Sequence, residues 1–252
     1  MITEPYFIWN GVDSRTMGVI VTDVAPLVFP AERVEEIVVP GRPGALVRDE
    51  GEGIFDSYAL TIGIANRSTV PMGQIAAWLR GAGELILSTE PDRVYQARII
   101  RQASTAYAFR TSYNGAVNFQ VQPLKAAYPP VPPIVFDGDG EGSDEITHQG
   151  DVPARPVYTL VGAGELILDV GDASEGGAGS RIVVDVGEEG DGCVIDTDAG
   201  TVTNLDGTES LTASTQLYYN GFRGLWLPAG TTPIAWGANV DTVTVDPRWR
   251  WL

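Results

Sequence analysis

Lysine is nearly missing from this chain: of its 16 basic residues only Lys125 is a lysine, which reads as a compositional habit rather than as chemistry. Cysteine and histidine occur once each, as Cys193 and His148. A single cysteine excludes an internal disulfide and gives no sign of an oxidising compartment. Zinc sites need a cluster of these two residue types, so none is expected. No run of about 18 apolar residues occurs, which speaks against a membrane span. The opening Met1-Ile2-Thr3-Glu4-Pro5 has no basic stretch leading into an apolar one, so no signal peptide is expected. Glycine-rich phosphate loops are missing too. Gly41-Arg42-Pro43-Gly44 has no Lys-Ser/Thr after it and reads as a tight turn. Together these absences predict a soluble protein made in the cytoplasm.

What is present is apolar sequence cut into short pieces. The chain has 252 residues, 44% of them hydrophobic, with 30 Gly and 17 Pro between the apolar runs. That is enough for two domains with ordinary cores. The net charge of −17 is uneven: residues 1–130 hold 13 acids and 11 bases, residues 131–252 hold 20 acids and 5 bases. Such a step marks a domain boundary, and the acidic half argues against nucleic-acid binding, which needs Arg and Lys for phosphates.

In the first half, residues 6–9, 18–21, 37–39, 57–64, 84–87, 94–100 and 116–121 read as strands bounded by Gly, Pro, Asp or Asn. One helix stands out: Pro71 suits its first turn, Met72, Ile75, Trp78 and Leu79 form one apolar stripe, and Gly81 fits the left-handed stop. Residues 131–155 read as a mobile linker, with Pro132 and Pro133 stiff and 137–145 Gly-rich and acidic. Strands resume at 157–161, 165–170, 181–186, 193–196, 201–204, 211–218, 225–227, 234–236 and 242–245. The expectation is a mainly β protein of two β-sandwich domains. Residues 1–130 form the first, with one short helix, and 156–252 the second, a sandwich or jelly roll.

Few residues invite chemistry. A Ser–His–Asp triad would have to use His148, which reads as an exposed loop residue beside Gln149 and Gly150. Cys193 precedes Val194 and Ile195 in an apolar strand and reads as a buried, inert thiol. Carboxylates are too abundant to single out a glycosidase pair. Asp137-Gly138-Asp139-Gly140-Glu141-Gly142 resembles the opening of a calcium loop, but position 12 falls on His148 where a Glu is required. A solvated linker is the reading, with weak calcium binding left open. In Pro247-Arg248-Trp249-Arg250-Trp251-Leu252, strand geometry puts both tryptophans on one side and both arginines on the other. That suits either a closing strand or a docking edge. No catalytic, cofactor-binding or metal residue is assigned, and no enzyme is expected.

A larger pattern spans the first half. It runs through Phe7-Ile8-Trp9-Asn10-Gly11-Val12-Asp13-Ser14, Met17-Gly18-Val19, Arg33, and Val38-Val39-Pro40-Gly41-Arg42-Pro43-Gly44-Ala45-Leu46 with Asp49-Glu50-Gly51. It continues through Gly83-Glu84-Leu85, Pro91-Asp92-Arg93-Val94-Tyr95-Gln96-Ala97 and Asn118-Phe119-Gln120-Val121-Gln122-Pro123. This resembles the distal tail protein family of long-tailed bacteriophages, the siphovirus hub. Ala154-Arg155-Pro156, Val194-Ile195-Asp196-Thr197, Leu227-Pro228-Ala229-Gly230 and the C-terminal end are similar more loosely. The resemblance implies a homo-hexameric ring continuing the tail tube and a galectin-like second domain facing outward. It also implies a place in the virion tail, and as partners the tail tube protein and tail-tip or receptor-binding proteins. The alternative from another class is a carbohydrate-binding module contacting host surface glycans, with Trp226, Trp236, Tyr218 and Tyr219 as candidates.

Overall fold

The computed structural model describes residues 4–23, 28–49, 54–66, 70–109, 112–138, 140–188 and 191–252, with the side chains of 47–49, 101–109, 112 and 113 outside that description. The chain is mainly β and divides into two compact units, Met1–Pro129 and Pro130–Trp251. Among the described residues no helix is long and apolar enough to cross a membrane.

The first unit contains β1 (Phe7–Trp9), β2 (Val12–Asp13), β3 (Val19–Asp23), β4 (Val34–Val38), β5 (Ala45–Asp49) and β6 (Tyr58–Asn66). Helix α1 (Met72–Trp78), β7 (Ala82–Leu87), β8 (Glu90–Phe109) and β9 (Ser112–Ala127) follow. Seven strands pair antiparallel in the order β2-β1-β7-β8-β9-β6-β3, while β4 and β5 form a separate two-stranded sheet. Phe7, Trp9, Leu60, Ile62, Leu85, Val117, Phe119 and Val121 are buried at the centre.

The aromatic contacts show how this sheet is shaped. In a flat sheet β1 and β9, three strand spacings apart, would be roughly 14 Å from each other. Instead the rings of Trp9 and Phe119 lie 5.2 Å apart and those of Phe7 and Phe119 6.2 Å apart. The sheet therefore curls until its two arms face one another. The β8–β9 register shifts four times, between Tyr95/Ala97, Ile99/Arg101, Arg101/Ser104 and Tyr107/Phe109, and bulges of this kind bend strands. Helix α1 closes the remaining side. Ile75 is buried, and Trp78 stacks on Phe7 at 5.5 Å and donates its indole N–H to the Trp9 carbonyl at 3.1 Å. Pro71 occupies the N-cap, and the helix stops earlier than expected: Leu79 is its C-cap, and Gly81, at φ +84°, turns the chain two residues beyond it.

The sole lysine lies inside. Lys125 is buried, with Nζ 3.0 and 3.2 Å from the Glu90 carboxylate, which also accepts the Tyr95 hydroxyl. Burial and the Glu90 charge push the Tyr58 phenol up to about 12. Whatever set the composition, this one lysine balances a carboxylate at the edge of the core.

The second unit contains β10 (Ile134–Asp137), β11 (Gly142–Thr147), β12 (Val157–Gly162), β13 (Glu165–Val170), β14 (Ser180–Asp185), β15 (Gly192–Asp196) and β16 (Thr201–Asn204). After these come β17 (Thr215–Tyr219), β18 (Thr231–Trp236), β19 (Val240–Asp246) and β20 (Arg250–Trp251). Two five-stranded antiparallel sheets result, ordered β10-β19-β12-β15-β16 and β11-β18-β13-β14-β17. Each buries alternate residues, such as Tyr158 and Leu160 on β12 and Leu166, Leu168 and Val170 on β13, as the sheets of a sandwich do.

Two expectations need correction. Residues 131–155 are not a loose linker: β10 pairs with β19 and β11 with β18, so this stretch supplies an edge strand to each sheet. Its glycines serve packing as well as turning. A Cβ on Gly142 would come within 2.5 Å of the Trp236 ring, and one on Gly138 within 2.9 Å of the same indole. The expected strand at 225–227 is met only by a single β-bridge of Leu227 with Ala154, because Leu225 ends a 3₁₀ turn, Gly221–Leu225, held where the buried Tyr158 hydroxyl donates to the Leu225 carbonyl at 2.8 Å.

Emptying the aromatic centre should be costly. Phe119→Ala is expected to lower unfolding stability by roughly 3–5 kcal/mol, read from denaturant melts; an unchanged midpoint would contradict the packing. Lys125→Met leaves Glu90 without its cation and is expected to lose roughly 3 kcal/mol, with Lys125→Met/Glu90→Gln recovering much of it. Losses that simply add would rule out the pairing.

Candidate functional site

The residues singled out for chemistry are all engaged otherwise. His148 is half-buried rather than an exposed loop residue, and its ring packs edge-on against Trp249 at 4.7 Å. One ring nitrogen, Nδ1, accepts the Gly150 N–H at 3.1 Å, and Nε2 faces the Val152 carbonyl at 3.0 Å. Both nitrogens are thus tied to backbone, which is the geometry of a structural histidine. Cys193 is fully buried in β15, and burial pushes its thiol up to about 12. In the calcium-like segment Asp137 ends β10, Gly142 opens β11, and Asp139 lies outside the described residues. Among the described residues no three His, Cys, Asp or Glu side chains converge as metal ligands.

Three surface features remain. The first is the β4–β5 hairpin. Gly41 and Gly44, at φ +83° and +81°, turn the chain at its tip, and the Arg42 N–H donates to the Val39 carbonyl at 3.2 Å. This is the tight turn expected there. At its base Arg33 N–H donates to Ile54 and Asp56 N–H to Ala31, and the Arg33 guanidinium pairs with Asp56 at 2.8 Å. The hairpin itself stands clear: every β4 residue is exposed, with Val38 78%, Val34 47% and Ile37 40% accessible, and Leu46 on β5 41%. An isolated two-stranded hairpin is marginal in water, and an apolar one invites cover. Of the motif residues beyond it, Glu50 and Gly51 lie outside the described residues.

The second feature gathers four of the five bases of the acidic half around Trp226. Arg155 lies over the Trp226 ring at 4.5 Å and Arg223 at 5.9 Å. Arg155 and Arg250 both reach Asp198, at 2.7 and 3.1 Å, and Arg248 reaches Asp196 at 3.1 Å. Trp249 and Trp251 are buried, so the C-terminal alternation is a closing segment stapled by its arginines. Burial works to raise the Asp198 carboxyl, yet hydrogen bonds and charge from Arg155 and Arg250 hold it below the ordinary aspartate value.

The third feature is aromatic. Of the four candidates for sugar contact, Trp236 is buried against Phe136 and Trp226 is covered by arginine. Tyr218 and Tyr219, at the end of β17, remain open at 42% and 51%. Tyr219 has φ +66°, a conformation that costs a bulky L-residue on the order of 1–3 kcal/mol.

No protein-family model matches the sequence, and no curated protein does. Among solved structures, the Dit protein of phage SPP1 aligns over 99% of this chain and 100% of its own, with a TM-score of 0.73 at 16% identity. That protein is described as a paradigm of the hub adsorption apparatus in phages that infect Gram-positive bacteria. This chain has the Dit fold. The activated, calcium-containing baseplate of phage P2 aligns over 97% of each chain at 10% identity and a TM-score of 0.46. That fold is mainly β, as the strand pattern of the sequence predicts.

Sequence reasoning did not find the arginine staple or the openness of the hairpin. For the staple a signal existed: with only five bases among 20 acids, their placement is informative. For the hairpin the Val and Ile content pointed inward.

The Asp198 carboxylate, depressed in the folded state, contributes stability that is present above the unfolded aspartate value, about 4. That contribution is lost as pH falls through its lower folded value. Asp198→Asn should therefore weaken the second unit at pH 7 and flatten the loss of stability below about pH 4. Acid melts of both proteins with the same slope would remove the staple from the account.

Proposed function

We propose that this chain is a structural component of a long-tailed phage virion, a distal tail hub that closes into a hexameric ring between the tail tube and the baseplate or tail-tip proteins. The exposed apolar hairpin carries this reading, because among the described residues it presents Val34, Ile37, Val38 and Leu46 to solvent on one arm. The full-length likeness to a hub protein supports the same class, and the number six comes from the resemblance of the first-half motifs alone. In this reading the first unit forms the ring and the acidic second unit faces outward as a platform for tail-tip or receptor-binding proteins. The protein is made in the host cytoplasm and ends in the tail, as a scaffold rather than a catalyst.

A closed ring needs a head-to-tail contact in which two different surfaces of one subunit meet. The hairpin supplies one. The open edge of β3, where Ile20 is 39% exposed, supplies a second of suitable character. Val38→Asp/Leu46→Asp should leave the melting temperature within a degree or two of the parent, since neither side chain is buried. In native mass spectrometry at about 100 μM, where contacts of roughly 5–6 kcal/mol begin to populate, the parent is expected as a hexamer and the variant as monomers. A parent that stays monomeric without a tail partner, or a variant that assembles equally well, would remove the hairpin as the ring contact.

A further inference from the structure

We infer that the β17 edge of the second unit carries a binding site for a neutral saccharide, formed by Tyr218 and Tyr219 with Arg181 and Asp169. The inference stands on the second unit alone and does not depend on ring formation.

The placement of Tyr219 is the starting point. On β17, Leu217 faces Ile182 and Tyr219 faces Ser180, both of them buried positions, so strand alternation would send Tyr219 inward. It is half exposed instead, because φ +66° turns it out of the strand. The next residue fixes that turn: the Asn220 amide donates to the Gly177 and Gly179 carbonyls at 2.8 and 2.9 Å. Two consecutive tyrosines thereby come to the same side, with ring centroids 6.4 Å apart and planes at 49°. Tyr219 is not among the buried core residues, so core packing does not account for its place.

Beside them lies a polar row. Tyr218 pairs in register with Arg181 on β14, and Arg181 with Asp169 on β13. The guanidinium and carboxylate are held by two parallel bonds of 2.7 Å through Nε and Nη2, leaving Nη1 outside the pairing. A sugar ring presents apolar C–H faces and a rim of hydroxyls. Tyrosine rings receive the first, and a fixed guanidinium–carboxylate pair offers donors and acceptors to the second. Two rings at this spacing span one or two sugar units and are already held in place, which lowers the entropy lost on binding.

The charge and the size of the patch narrow the ligand. A half-chain with 20 acids and 5 bases repels anionic glycans, so the ligand is neutral. A stable protein partner covers about 800 Å² on each side. Among the described residues of this unit the one other exposed large apolar side chain is Val135, on β10 of the other sheet, so this patch by itself is too small for such a contact, and a protein docked on the unit would rest on other, polar surface.

The test uses the full chain and saturation-transfer NMR with chitotriose, lactose and maltotriose, each to about 10 mM, so that millimolar affinities register. At least one is expected to show transfer to its ring protons. Tyr218→Ala and Tyr219→Gly should each weaken that binding by about tenfold or more. Because glycine accepts φ +66° without strain, Tyr219→Gly should melt no lower than the parent, which separates loss of a ligand contact from loss of fold. The inference is overturned if none of the three sugars responds, if binding survives both substitutions, or if polygalacturonate, an anionic probe, binds better than the neutral sugars.

Discussion

The contact among Phe7, Trp9, Trp78 and Phe119 sets the form of the first unit. Bringing β1 over β9 forces a seven-stranded sheet to curl, and the four register shifts along β8 and β9 let it do so. With the sheet curled, one short helix is enough to cover what is left, through Ile75 and Trp78. The β4 and β5 strands pair with each other and not with the seven curled strands, and the apolar residues Val34, Ile37, Val38 and Leu46 stay exposed.

Much of this was legible in the sequence, and the failures have physical causes. Strands with one buried face, such as β12 and β13, alternate cleanly and stand at nearly the expected positions. β11 looks like a loop in sequence because Gly142-Ser143-Asp144-Glu145-Ile146-Thr147 carries a single large apolar residue, Ile146, and only that one is buried. An edge strand gains its order from backbone pairing on one side, which leaves little hydrophobic trace. Gly138 and Gly142 misled in the same direction: they suggested freedom, whereas the Trp236 indole occupies the space a side chain would need. The run at 225–227 failed in the opposite sense. Three apolar residues cannot distinguish a strand from a turn, and here Gly221 at φ +60° and the Tyr158 hydroxyl hold Leu225 in a turn, which leaves a single β-bridge at Leu227. The site was legible in part. Tyr218 and Tyr219 were candidates alongside two tryptophans, and only burial and arginine cover separate them.

Scarce cations are placed with economy. In the first unit the one lysine neutralises Glu90 at the margin of the core, where an unpaired carboxylate would be expensive to desolvate. In the second, four of five arginines gather at the C-terminal segment and Trp226, and the fifth pairs with Asp169 beside the tyrosines. The acidic half thus has its positive charge concentrated in two places, one that fastens the chain end and one that borders an open aromatic surface. Elsewhere its surface is dominated by carboxylates.

That asymmetry bears on assembly. Repulsion among copies grows with the square of the charge each brings near its neighbours, so 20 acids against 5 bases resist crowding far more than 13 against 11. Contacts between copies are therefore least opposed when the first half makes them, and that half is where the apolar hairpin and the open β3 edge lie. The acidic half gains from the opposite arrangement, solvated on all free sides. Among its described residues, exposed aromatic rings meet the solvent at Tyr218 and Tyr219, so partners that bring no negative charge are the least opposed there. One sequence feature, the step in charge near the middle of the chain, thus favours assembly through the first half and recognition through the second.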